Sequence, residues 1–111
     1  SVIAYDNSTK NEVLKVPKKL LEKYGAVSEE VVKSMAEGAR QLMNTDFSVA
    51  TSGIAGPDGG TSDKPVGTLW IAVASENNTI AEKHLYGYDR VTNITRFSNA
   101  ALSLLWNKIK K

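Results

Sequence analysis

Four side chains carry functional groups at positions where they could act together. Tyr5 and Lys10 lie five residues apart around an Asp6-Asn7 turn signal, Ser52 opens a glycine-rich stretch, and Arg90 follows a helix-capping aspartate. Taken alone, a Lys and a Tyr beside a turn read as surface residues. Arg90 could hold an anion or simply pair with a neighbouring acid. Ser52 lacks the Gly-x-Ser-x-Gly setting of a nucleophile elbow, so its hydroxyl is expected to bond a turn or a substrate.

The glycine-rich stretch holds Gly53, Gly56, Gly59, Gly60 and Gly67 within residues 50–75. It is not a phosphate loop of either common kind. Gly-x-Gly-x-x-Gly opening a helix is absent, and Lys64 is followed by Pro65 where a Walker loop needs Ser or Thr. It also runs into a strand-like segment, so no helix N-terminus waits there for a phosphate. Gly-Pro, Asp-Gly-Gly and Lys-Pro are ordinary turn chemistry. Glycines equally let backbone N–H groups approach a ligand, and long connections in small domains are often functional. From the residues alone the stretch reads as a connector or as an anion cradle.

Composition narrows the classes. The 111 residues suit a single domain spanning 1–111, and 41% hydrophobic residues suffice for a core. A net charge of +2 without a basic stripe argues against nucleic acid. The absence of cysteine excludes disulfides and thiolate chemistry, and a single histidine, His84, argues against a histidine metal site or a Ser-His-Asp triad. No metal or cofactor is expected. No apolar run approaches membrane-spanning length, so neither a membrane association nor a signal peptide is expected and the chain is read as cytoplasmic. The Asn-x-Ser/Thr triplets at Asn7, Asn77 and Asn93 are read as chance.

The elements that must position these residues follow from periodicity. Val2, Ile3, Ala4 and Tyr5 read as a short buried strand. Pro17 suits the start of a helix carrying Leu20, Leu21 and Tyr24, ended by Gly25. Ser28 caps a second helix with Val31, Val32, Met35, Ala36, Ala39, Leu42 and Met43 on one side, and Gly38 within it implies close packing on a neighbouring strand. Strands are expected over 47–51, 67–75 and 79–88. Asp89 caps a last helix whose buried face is expected to be Val91, Ile94, Phe97, Ala101, Leu104, Leu105 and Ile109. The order of strand, helices, three strands and helix predicts an α/β sheet with helices on its faces.

Four strings together resemble one family: "YDNSTK" (5–10), "KYGAVSEEVVKSMAEGAR" (23–40), "TSGIAGPDGGTSDKPVGTLWIAV" (51–73) and "GYDR" (87–90). In this order and spacing they are similar to the C-terminal domain of the competence/damage-inducible protein CinA and to stand-alone nicotinamide-nucleotide amidohydrolases. The resemblance implies a three-layer α/β/α fold with a central mixed sheet, here lacking its first strand and helix. It implies hydrolysis of the carboxamide of nicotinamide mononucleotide, in pyridine nucleotide salvage, to nicotinate mononucleotide and ammonia. The family's nucleophile is a serine in a Ser-Cys-Thr-Gly-Gly motif preceding the first matched string, and these 111 residues contain no such motif. Lys10 would be the general base, with a pKa depressed by burial or nearby positive charge, and Tyr5 would position it. Asp6 stands where the family usually has Ser. Ser52, Gly53, Ile54, Ala55, Gly56, Gly59, Gly60 and Arg90 would hold a pyridine mononucleotide. The family's tendency to oligomerise, and a sheet edge left open, imply a homo-oligomer. A non-catalytic remnant that binds a nucleotide or a partner is the alternative.

Overall fold

The computed structural model describes residues 3, 7–57, 59–62 and 64–110. Along them run α1 (Asn7–Glu12), α2 (Lys18–Tyr24), α3 (Glu29–Met43), β1 (Phe47–Gly53), β2 (Thr68–Ser75), β3 (Thr79–Leu85) and α4 (Arg90–Ile109).

The helix ends follow from their caps. Pro17 and Gly25 flank α2, and the Gly25 N–H closes its last turn on the Leu21 carbonyl. Ser28 accepts from the Val31 N–H at 3.3 Å at the start of α3. Asp89 accepts from the Thr92 N–H at 2.8 Å at the start of α4, and these hydrogen bonds, led by the Thr92 backbone and then its hydroxyl, hold the Asp89 carboxyl below the ordinary carboxylate range. The early α1 was not anticipated; the polar string Asn-Ser-Thr-Lys-Asn-Glu has no apolar period to reveal it.

The sheet has the order β1-β2-β3. Both pairings are antiparallel, with Ala50 opposite Ala72 and Ala72 opposite Ala81. The mixed sheet of the expectation is thus antiparallel over the described strands, because each adjacent pair is joined by a returning loop instead of a helical crossover. The strand expected over 2–5 lies outside the described residues except for Ile3, which is in no element and is 81% exposed.

The three layers are present. On one face Val31, Val32, Met35 and Ala36 of α3, with Leu14, Val16 and Leu21, cover Ala50, Ala72 and Ala74. On the other, Ala101 and Leu104 of α4 cover Leu69, Ile71 and Val73. The small residues on the first face let α3 approach the sheet closely, while the branched ones on the second meet the sparser α4. Gly38 is required by close packing, but not on a strand. A Cβ there would stand 1.9 Å from the Leu14 carbonyl oxygen, so the helix leans on the connection after α1.

The buried face of α4 differs from the expected one. Val91 (75%), Ile94 (45%) and Ile109 (47%) are exposed, and with Leu102 and Trp106 they leave an apolar stripe on the outside. Asn93, fully buried, takes a place on the inner face. Apolar residues lie on two sides of this helix, so periodicity alone could not choose between them.

Candidate active site

Lys10 sits in the last turn of α1, and that short helix sinks it against the domain until it is 6% exposed. Long cationic side chains are seldom this buried in a solvated face. It lines a groove of about 780 Å3 that runs along β1, which forms one edge of the three-stranded sheet. Ser52 and Gly53, at the C-terminal end of β1, line the same groove, with Ala26, Met35 and Phe47 among the walls. Lys10, Ser52 and Gly53 therefore lie along one groove. Tyr5 lies outside the described residues.

Ser52 makes its hydrogen bond to the protein. Its Oγ donates to the Ala26 carbonyl at 2.8 Å, tying β1 to the segment between α2 and α3. That segment is fixed twice more. The Ser28 hydroxyl donates to the Gly25 carbonyl at 2.8 Å, and the Lys64 ammonium donates to the Tyr24 carbonyl. The proton of Ser52 is thus committed, while its oxygen can still accept.

Beyond Gly53 the loop leaves the groove and crosses to the start of α4. Ile54 is pinned by its N–H to the Thr68 carbonyl at 2.9 Å and by its carbonyl to the Gly67 N–H at 2.6 Å. Arg90 does bind in this region, but to the protein: its Nη1 donates to the Gly56 carbonyl at 2.8 Å. Gly56 is buried at φ +95°, and a Cβ there would meet Val66 Cγ1 at 2.5 Å. Gly59 and Gly60 are exposed and not among the residues that line the groove. The glycine loop is held at its carbonyls.

Asn93 is the residue that sequence reasoning missed. Its Nδ2 donates to the Ala55 carbonyl at 2.9 Å and to the Tyr88 carbonyl at 3.0 Å, and its Oδ1 accepts from the Tyr88 N–H at 3.2 Å. The available signal was an asparagine in register with Phe97, Ala101 and Leu104 on one helical face, where an amide needs partners. His84, given no role from sequence, stacks on Tyr86 with ring centroids 5.8 Å apart. Among the described residues no three His, Cys, Asp or Glu side chains gather as a metal site, and no helix is long and apolar enough to cross a membrane.

The sequence pattern of the CinA C-terminal domain matches residues 1–109. The chain belongs to the CinA C-terminal domain family. It is 47% identical over its whole length to a CinA-like protein of Cytophaga hutchinsonii and 48% identical over 92% of its length to one of Salinibacter ruber. These matches span 27% and 25% of those relatives. Among solved structures, the competence/damage-inducible protein CihA of Agrobacterium tumefaciens superposes with a TM-score of 0.91 at 35% identity, over 94% of this chain and 64% of that one. A CinA superfamily protein of Enterobacter cloacae gives 0.91 at 30% identity, over 96% and 63%. The chain thus spans about a quarter of the curated relatives and under two thirds of these solved members of the CinA superfamily.

Proposed function

We propose that this CinA-family domain forms one wall of a nicotinamide mononucleotide deamidase site in pyridine nucleotide salvage, and that a serine outside these 111 residues completes it. The observation that carries this reading is Lys10, 6% exposed in a groove it shares with Ser52 and Gly53. A general base acts through its neutral form, and a lysine amine supplies such a base when it is not protonated. The Lys10 amine takes the proton of the serine hydroxyl as its oxygen bonds to the carboxamide carbon. The same proton then passes to the departing nitrogen, ammonia leaves, and water hydrolyses the acyl-enzyme to nicotinate mononucleotide. Tyr5 positions the amine. Ser52, as an acceptor, and Gly53, Ile54, Ala55, Gly56, Gly59 and Gly60 with Arg90 bind the substrate. No metal or cofactor enters these steps.

The work is cytoplasmic, on a small molecule and not on nucleic acid or membrane, and the protein acts as a homo-oligomer. The apolar outer stripe of α4 supports association, and sedimentation of these 111 residues should give a mass above the 12.0 kDa of one chain. A second reading, supported by the same residues, is a nucleotide- or partner-binding domain without hydrolysis. Ammonia release from nicotinamide mononucleotide by the protein as its gene encodes it separates the two. Tight binding without ammonia release would establish the second.

A further inference from the structure

From the end of α2 toward α3, three successive carbonyls are each held by a side chain from a different part of the fold. The Tyr24 carbonyl accepts from the Lys64 ammonium, the Gly25 carbonyl from the Ser28 hydroxyl at 2.8 Å, and the Ala26 carbonyl from the Ser52 hydroxyl at 2.8 Å. Ala26 and Val27 of this run line the groove that also holds Lys10. A short wall outside any helix or strand is thus fixed from the glycine loop, from the start of α3 and from β1.

Of the three donors only Lys64 is charged, and its place is built. Tyr24 ends α2, where helix carbonyls lack backbone partners and the helix dipole favours a cation. Gly25 leaves room for the ammonium, since a Cβ there would stand 2.8 Å from Lys64 Nζ. Lys64 is aimed by its own backbone: its carbonyl accepts from the Thr61 N–H at 2.9 Å, and its N–H donates to the Thr61 hydroxyl at 3.0 Å. Val66 braces the loop from inside, so closely that a Cβ on Gly56 or Gly60 would stand 2.5 or 2.6 Å from one of its atoms. At its other end the loop is tied to α4, by Arg90 at Gly56 and by Asn93 at Ala55. Because α4 covers one face of the sheet and Leu21 of α2 packs on the other, the loop joins the two helical layers, with Lys64 as its far tie.

We propose that Lys64 is a positioning residue, which through the Tyr24 carbonyl holds the Ala26–Val27 wall of the groove in place against a ligand beside Lys10. The substrate it serves rests on the deamidase reading; the hold on the wall does not. Lys64 is not among the residues lining the groove, so its effect reaches a ligand through that wall. A helix cap that served stability alone would leave substrate affinity of the folded protein unchanged.

The test compares the protein as its gene encodes it with Lys64→Met, which keeps the stem but loses the charge and the donors, and with Lys64→Arg, which keeps both. Backbone amides are followed in 15N-labelled protein, and ammonia release is measured over a range of nicotinamide mononucleotide concentrations. In Lys64→Met the Gly25, Ala26 and Val27 amides should shift. Its KM should rise about tenfold, the scale of one hydrogen bond, with kcat within about twofold. Lys64→Arg should restore most of the loss. If Lys64→Met is unfolded by circular dichroism, Lys64→Gln is read in its place with the same outcomes. Unmoved amides at 25–27, or an unchanged KM, overturn the inference and leave the deamidase reading intact. So does a fall in kcat at constant KM. If the wild type releases no ammonia, the deamidase reading fails and the amides decide the inference alone. Shifts at 25–27 that Lys64→Arg reverses then uphold the tie, and their absence overturns it.

Discussion

The Ser52 hydroxyl donates to the Ala26 carbonyl at 2.8 Å, so the end of β1 and the segment that leads into α3 are joined directly. A serine proton spent in this way is not available to a nucleophile. Ser52→Ala should lower stability by about 1 kcal/mol, the net worth of one such bond, measured by urea unfolding. In nucleotide-treated protein, mass spectrometry should find no acyl group on Ser52. An acylated Ser52 would make it the nucleophile and contradict its place here as a binding residue.

Gly38→Ala should destabilise the domain even though alanine is the better helix former. Its new Cβ would stand 1.9 Å from the Leu14 oxygen, and backbone cannot yield as a side chain tip does. Overpacking of this kind costs about 1–3 kcal/mol, which exceeds the gain of about 1 kcal/mol in propensity. A rise in the urea midpoint would show that the contact between α3 and the Leu14 segment is soft.

Much of this domain was legible before its structure. Pro17, Gly25, Ser28 and Asp89 marked helix ends because capping is local chemistry. The apolar run over 67–75 marked a strand. What escaped was set by distant packing. Lys10 is buried although it sits on a six-residue polar helix, and nothing in "NSTKNE" announces that. The inner face of α4 is defined by Asn93, whose partners lie at Ala55 and Tyr88. The site followed the same rule. Motifs located Lys10 and the glycine loop, but only coordinates show that Arg90 and Asn93 hold the loop by its carbonyls.

Asp89 should confer an acid-side dependence of stability. Its carboxyl is held below its ordinary range by the Thr92 N–H and hydroxyl, so the folded state binds this proton less readily than the unfolded chain. The contribution is complete above the ordinary carboxyl pKa and disappears as pH falls through the lowered value. Asp89→Asn keeps a capping oxygen and should flatten that part of the profile of Tm against pH. An unchanged profile would mean that the cap does not discriminate between the two protonation states.

The 111-residue chain by itself should release no ammonia from nicotinamide mononucleotide, because Lys10 would have no serine to activate. Its titration with the nucleotide can still report on the wall it supplies. Turnover by these residues alone would place the nucleophile among them.

The central claim is that Lys10 is the base. The most direct test measures ammonia release from nicotinamide mononucleotide by the protein as its gene encodes it, beside its Lys10→Ala variant, with folding of both checked by circular dichroism. Loss of general-base catalysis should lower kcat by about 10²–10⁴-fold with the fold unchanged. A folded Lys10→Ala variant that turns over at the full rate would contradict the account.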